Sequence, residues 1–189
     1  MLRNFAAVCL AAIVSVPLAA QSNMPAPWKF TAFAIDTSTM STRARTNTVD
    51  ITISRWSTDA DRDRLLTILR EKGQDALLSA LQKMPVVGYL TTPGSLRYDL
   101  HFARKLSQPD GGDRIVLATD RYVGSWEAAN RPRTIDYPFT VIELEVDSQG
   151  NGVGKASLYT KISATGGGDI ELENFANQPV MLNEVKRVK

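Results

Sequence analysis

Residues 48–85 read TVDITISRWSTDADRDRLLTILREKGQDALLSALQKMP, and the spacing of apolar side chains changes once within this stretch. In the first part, Val49, Ile51 and Ile53 alternate with polar residues, which is the period of a strand with one buried face. From Ser57 onward the apolar residues recur at intervals of three and four, which is the period of an amphipathic helix. The stretch therefore predicts a helical insertion that directly follows a strand.

The insertion carries the signals of two short helices. Thr58 is a favoured N-cap residue, and the aspartates that follow it suit the positive end of a helix dipole. Gly73 separates two apolar stripes, and Pro85 ends the second one. We therefore predict a helical hairpin over about residues 58–84.

The rest of the chain is typical of antiparallel strands joined by turns that contain Gly, Pro and Asn. The sequence predicts an α+β fold, mainly an antiparallel β meander of about nine strands, with the helical hairpin inserted after the second strand. A meander of this size is expected to curl into a barrel or a strongly bent sheet, because either shape removes or covers its edges. The predicted strands are 28–36, 48–56, 86–92, 96–105, 114–120, 137–147, 153–162, 169–174 and 179–186.

The N-terminus has the pattern of an export signal. Arg3 precedes a continuous apolar run from Phe5 to Ala20, which ends in small residues. This pattern is typical of a secretory signal peptide, and the run is shorter than the roughly 20 residues that a spanning helix needs. We therefore predict a signal peptide over 1–20, a flexible lead-in over 21–27 and a single α+β domain over 28–189. The expected location is the periplasm or the outside of a bacterial cell, with no membrane span in the mature chain.

Composition and charge exclude several classes of partner. Lys and Arg number 22 against 20 Asp and Glu, a net charge of +2, so nothing indicates a nucleic-acid partner. The chain has one Cys and one His, and Cys9 lies inside the predicted signal peptide. The mature chain would then have no disulfide and no thiol nucleophile. We expect no cofactor and no metal site.

The segment 121–136 is the strongest candidate for a binding site. It is a long connection without periodicity, and long connections in small domains are often functional. Its aromatic and arginine side chains are of the types that dominate binding sites, since arginine can hold an anion with two hydrogen bonds. The alternative is a loop whose tryptophan plugs the barrel end and whose arginines neutralise nearby carboxylates. The candidate ligand-binding residues are Arg121, Tyr122, Trp126, Arg131 and Arg133.

Two weaker candidates concern catalysis. His101 shares a predicted strand face with Asp99, and an imidazole oriented by a carboxylate can act as a general base. Carboxylates also alternate along 143–147 and 169–173, at roughly 7 Å, a spacing compatible with an inverting glycosidase pair. The competing interpretation is a solvated strand face, with the acids neutralised by lysines of the strand between them.

The interior of the predicted barrel is either filled or open to one small ligand. A filled interior is the preferred interpretation. The aromatic residues on predicted apolar strand faces that would line an open interior are Phe30, Phe33, Tyr98, Phe102, Phe139 and Tyr159.

The function expected from the sequence is a secreted or periplasmic, non-enzymatic binding domain for a small amphipathic or anionic ligand. The alternative is an envelope protein–protein interaction or structural domain that uses an exposed strand edge or the helical hairpin. A hydrolase is a distant third.

Overall fold

Strands account for most of the chain in the computed structural model, which describes residues 27–36, 45–120, 136–165, 169–174 and 178–188. Within these ranges the chain forms ten strands and one helix, α1 (Asp59–Gln82), which follows the second strand. The strands are β1 (Trp28–Asp36), β2 (Arg45–Ile53), β3 (Gly88–Thr91), β4 (Tyr98–Leu100), β5 (Phe102–Ser107), β6 (Asp113–Thr119), β7 (Phe139–Val146), β8 (Asn151–Ala164), β9 (Ile170–Asn174) and β10 (Val180–Val188).

The strands form a sheet that is nearly closed into a barrel. Its hydrogen-bonded path runs β4-β3-β2-β1-β10-β8-β7-β6-β5, with β9 added beside β8. The strands β4 and β5 stand at opposite ends of this path, although only His101 separates them in the chain. The backbone N–H of His101 donates to the Ala118 carbonyl (3.1 Å), and the Thr119 hydroxyl donates to the Asp99 carbonyl (2.7 Å). The bend at His101 therefore brings the two ends of the sheet together.

The inward side chains fill the barrel with one contiguous apolar cluster. Small inward residues on β8 face larger ones on β7: Gly154 pairs with Leu144, and Ala156 pairs with Ile142. Alternation of large and small side chains is a common way to fill a closed interior. The buried members of this interior cluster are Phe30, Ala32, Val49, Ile51, Ile53, Val87, Leu90, Leu100, Ala103, Ile115, Leu117, Ile142, Leu144, Val146, Ala156, Leu182 and Val185.

The helix α1 packs on the outer face of the barrel. It begins with a capping box, in which Thr58 and Asp61 each accept from the other's backbone N–H. Its buried leucines pack with Phe139 and with partly buried outward residues of β5 to β8. The buried leucines are Leu65, Leu69, Leu77 and Leu81.

A break at Gly73 explains how one helical segment buries all four leucines. Gly73 has φ 76° and ψ −172°, which is not a helical conformation. At 3.6 residues per turn, an unbroken helix would place Leu65 and Leu81 roughly 160° apart around its axis. They could not then face the same sheet. The break lets both halves of α1 turn their leucines toward the barrel.

Polar contacts fix α1 at its two ends and at the break. Near the N-terminal end, the Arg104 guanidinium is 2.8 Å from the Asp59 carboxylate. At the break, the Gln74 side chain accepts from the Ile162 N–H (3.0 Å) and donates to the Asp136 carbonyl (3.0 Å). Beyond the C-terminal end, the Met84 carbonyl is 3.0 Å from a ring nitrogen of His101.

The main sequence-based expectations for the fold are confirmed, with two differences in its elements. The sheet is antiparallel and barrel-like, and the helical insertion follows the second strand as predicted. The expected hairpin is a single helical segment broken only at Gly73, without a separate loop. The sheet has ten strands rather than about nine, because the strand predicted over 96–105 divides at His101.

The division at His101 also moves side chains from one face to the other. Strict alternation placed Leu100 and Phe102 on one face. In the structure Leu100 lies in the interior, whereas Phe102 packs outside with α1 and Ala103 takes the inward position. Of the six aromatic residues considered for the interior, only Phe30 and Tyr98 join the interior cluster, since Phe33 is 47% exposed and Phe139 packs with α1.

Candidate functional site

The segment predicted to bind a ligand lies between β6 and β7 in the chain. Its five candidate residues, Arg121, Tyr122, Trp126, Arg131 and Arg133, lie outside the described residues, so their role remains a prediction. The predicted signal peptide and lead-in also lie outside them. The described residues on both sides of the segment form the rim of the barrel, and their geometry can be stated.

A histidine and an aspartate meet at this rim. One ring nitrogen of His101, Nδ1, faces the Met84 carbonyl at 3.0 Å, and the other, Nε2, is 3.6 Å from Oδ1 of Asp120. Both side chains are largely buried, with 15% and 16% of their surface exposed. Because a carbonyl oxygen only accepts, Nδ1 must carry a proton in this arrangement. The pair lies where the strand bends and where the predicted binding segment begins.

The sequence suggested the wrong carboxylate for His101. Asp99, two residues away, instead accepts from the Arg97 guanidinium at 2.8 Å. Arg97 also lies over the Tyr89 ring, 4.6 Å from its centroid. Asp120 directly follows β6, and closure of the barrel brings this end of β6 next to the β4–β5 bend at His101. The spacing of residues along the chain does not reveal this proximity.

The ring of His101 has one hydrogen-bond partner among the described residues, the Met84 carbonyl. Oδ1 of Asp120, at 3.6 Å from Nε2, is at ion-pair distance but makes no hydrogen bond with a described residue. The nearby Thr119 hydroxyl donates to the Asp99 carbonyl. A general base needs a substrate or nucleophile within hydrogen-bond reach. The described contacts of His101 connect the β4–β5 bend to β6 and to the chain after α1.

The acidic face of β7 is neutralised by neighbouring cations. Glu143 contacts the Arg114 guanidinium (2.5 Å) and the Lys155 ammonium (3.2 Å). Partial burial acts to raise the pKa of the Glu143 carboxyl, but hydrogen bonds from Arg114 and Lys155 outweigh burial and lower the pKa. On the next acidic strand, Lys161 lies 3.7 Å from Glu173. Neutralisation by lysines of the strand between the acids is therefore seen for Glu143 and Glu173, whereas Glu145 and Glu171 are exposed strand residues.

Hydrogen bonds within the turn between β7 and β8 hold the Asp147 carboxylate and lower its pKa. Its carboxylate accepts from the backbone N–H groups of Gln149 (2.8 Å) and Asn151 (2.9 Å). The hydrogen bond from Asn151 is the main reason that the pKa of Asp147 lies below its usual value. Gly150 has φ 87° in this turn, a conformation that favours glycine. The residues form a hairpin turn, and within the described ranges no group of three or more His, Cys, Asp or Glu side chains could hold a metal ion.

Among the described strands, β9 forms an open edge of the sheet, since it pairs only with β8. The backbone N–H of Thr165 donates to the Asp169 carbonyl, whereas the N–H of Ile162, opposite Leu172, donates to Gln74. The residues that bond to β8 are therefore Asp169, just before β9, and Glu171 and Glu173 within it, since antiparallel pairs alternate between bonded and non-bonded positions.

It follows that the backbone groups of Ile170 and Leu172 point away from β8, toward the open edge. Both side chains are half-exposed, at 47% and 45%. They lie on the same face as their partners Ala164 and Ile162, which pack against α1. The exposure of Ile170 and Leu172 was not predicted from the sequence, because alternation of apolar and acidic residues in β9 predicts a buried apolar face.

Comparison with known proteins gives no family for this arrangement. No family model, no curated protein and no solved structure matches the chain. In the ranges that the structure describes, no helix has the length and apolar character needed to cross a membrane.

Proposed function

We propose that the chain is an exported, non-enzymatic binding domain that holds a small amphipathic or anionic ligand at the rim of its barrel, through residues of the segment 121–133. The observation that carries this proposal is the filled interior. Because inward side chains from β1 to β8 and β10 form one buried apolar cluster, a ligand has to bind at an end or on the outside of the barrel.

The residue types of the predicted segment support a ligand site at the rim. The predicted segment offers arginines for an anionic group and aromatic rings for an apolar one. It starts beside His101 and Asp120, which are held by the closure of the barrel.

The proposal is tested by recovering the ligand. The protein is exported to a bacterial periplasm, purified gently and measured by native mass spectrometry. We expect one discrete added mass, which disappears in Trp126→Ala and in Arg131→Ala. Arg55→Ala, which removes an exposed arginine outside the segment, is the control and should keep the added mass. Retention of the added mass by both segment variants would overturn the rim as the site.

A second candidate function is interaction with another protein. The specific observation in its favour is the open edge of β9 with its half-exposed apolar side chains. Open edges with apolar side chains are sites where another chain can add a strand. A hydrolase ranks behind both, because no described residue offers His101 a nucleophile.

A further inference from the structure

We propose that the edge of β9 binds an extended segment of another protein, as an antiparallel strand in which apolar residues alternate with lysine or arginine. This inference rests on the second candidate function and names the chemistry of the partner. It is independent of a ligand at the rim.

The backbone of β9 fixes where the partner forms hydrogen bonds. The N–H and C=O groups of Ile170 and Leu172 point away from β8 and have no strand beside them among the described residues. An added antiparallel strand would exchange hydrogen bonds with these two residues. The partner residues opposite them would then share their face of the sheet.

The side chains of β9 fix the composition of the partner. On the face shared with α1, Ile170 and Leu172 offer half-exposed apolar surface, which favours apolar residues opposite them. On the other face, the exposed side chains of Asp169 and Glu171 make no ion pair within the described part of the chain. Uncompensated carboxylates favour basic residues at the alternate positions of the partner.

The same charges argue against a second copy of this chain at the edge. In an antiparallel pair of two β9 strands that keeps the apolar faces together, acidic residues lie opposite acidic residues. When Ile170 lies opposite Leu172, Glu171 faces its own copy and Asp169 faces Glu173. Like charges directly opposite each other destabilise a strand pair. The edge therefore fits a basic strand better than it fits itself.

The test uses a synthetic peptide as the probe. Fluorescein-labelled peptide with ten residues of alternating valine and lysine is titrated with the mature chain, residues 21–189, and binding is followed by fluorescence anisotropy. We expect saturable binding, and a loss of affinity of at least about tenfold for the matched valine–glutamate peptide. Equal binding of the two peptides, or no binding of the lysine peptide up to about 1 mM, would overturn the proposal.

A pair of backbone-modified peptides tests the strand geometry without changing the protein. In the proposed pairing the valines donate their N–H groups to Ile170 and Leu172, and the lysine N–H groups point away. Methylation of the valine nitrogens should abolish binding, whereas methylation of the lysine nitrogens should largely preserve it. The opposite order, or equal effects, would contradict the pairing.

Variants of β9 locate the site on the protein. Glu171→Lys should weaken binding of the lysine peptide by at least about tenfold, and Glu145→Lys, on the exposed face of β7, is the control that should not. Leu172→Pro removes an N–H that points outward and leaves the bonds to β8 in place, so it should abolish binding while the barrel stays folded. Trp126→Ala should leave peptide binding unchanged, which separates this site from the rim. A dimer of the chain that Leu172→Pro dissociates would identify a second copy as the occupant and overturn the proposal.

Discussion

At the scale of single residues, His101 shows how one side chain supports the closure of the sheet. Its backbone N–H bonds to β6, its ring contacts the carbonyl after α1, and Asp120 lies on its other side. Three separate parts of the chain therefore meet at the point where β4 ends and β5 begins. A residue with these contacts is expected to matter for stability whether or not it takes part in binding.

The first prediction concerns this residue. His101→Ala should destabilise the protein by about 1–2 kcal/mol, because the Met84 carbonyl loses its partner in a largely buried place. His101→Asn, which keeps an N–H donor, should lose less. Urea unfolding followed by circular dichroism measures both values. Equal stability of His101→Ala and the wild type would show that the bend does not depend on the ring.

The second prediction concerns the pH dependence that Glu143 brings. Its pKa is lower in the folded protein than in the unfolded chain, so its contribution is present above the ordinary pKa of about 4.5 and is lost as the pH falls through the lower folded value. Glu143→Gln should therefore be less stable than the wild type near neutral pH, by about 1 kcal/mol. The difference should shrink below about pH 4.5. A difference that stays constant from neutral to acidic pH would contradict this account of its ion pairs.

At the scale of secondary-structure elements, α1 is shaped by a single glycine. The two halves of the helix bury leucines against the same outer face, and the break at Gly73 makes this possible. Gln74, the next residue, fixes the break to β8 and to the chain before β7. The conformation of Gly73 therefore lets both halves of α1 pack against the same outer face of the barrel.

The third prediction follows from this break. Gly73→Ala should destabilise the protein by about 1–3 kcal/mol, since φ 76° is unfavourable for a residue with a side chain. Space is not the reason, because a Cβ at Gly73 would meet no atom within 4 Å. Ser79→Ala, at an exposed position of the same helix, should be neutral or slightly stabilising. Thermal unfolding compares them, and a Gly73→Ala protein as stable as Ser79→Ala would argue against strain at the break.

Element type and order could be predicted from the sequence because period two and period 3.6 differ clearly in this chain. The capping of α1 by Thr58 and the interruption at Gly73 were also visible. The bend at His101 was not, because strict alternation continues through Leu100 and Phe102 in the sequence while the barrel needs a change of face there. The partner of His101 and the open edge of β9 depend on strand pairing, which no local pattern encodes.

At the scale of the whole molecule, Trp28 covers part of the filled interior. It lies against the interior cluster, with the Arg187 guanidinium 3.5 Å and the Lys105 ammonium 5.0 Å from its ring centroid. Trp56 meets Trp28 edge to face at 5.4 Å. The interior is closed here by an aromatic ring that contacts two cations.

The fourth prediction tests this closure. Trp28→Ala should destabilise the protein by about 3 kcal/mol, because a large side chain at the end of the core is lost. Arg187→Ala should cost about 1 kcal/mol, the usual strength of a cation–π contact that is partly exposed. Lys186→Ala, next along β10, is the control, because Lys186 pairs with exposed Glu184 and should matter little. Equal stability of the Arg187→Ala and Lys186→Ala proteins would indicate that the stacked guanidinium is not part of the closure.

With its interior filled, the barrel is expected to work from its outside, with β9 as a backbone edge that is open among the described strands. Amide hydrogen exchange along β9, measured by NMR on residues 21–189, tests whether the edge is open. We expect protected amides at Glu171 and Glu173 and rapidly exchanging amides at Ile170 and Leu172, with the last two becoming protected when the valine–lysine peptide is added. Equal protection of all four amides in the free protein would mean that the edge is already covered, and would rule out a free edge for a partner strand.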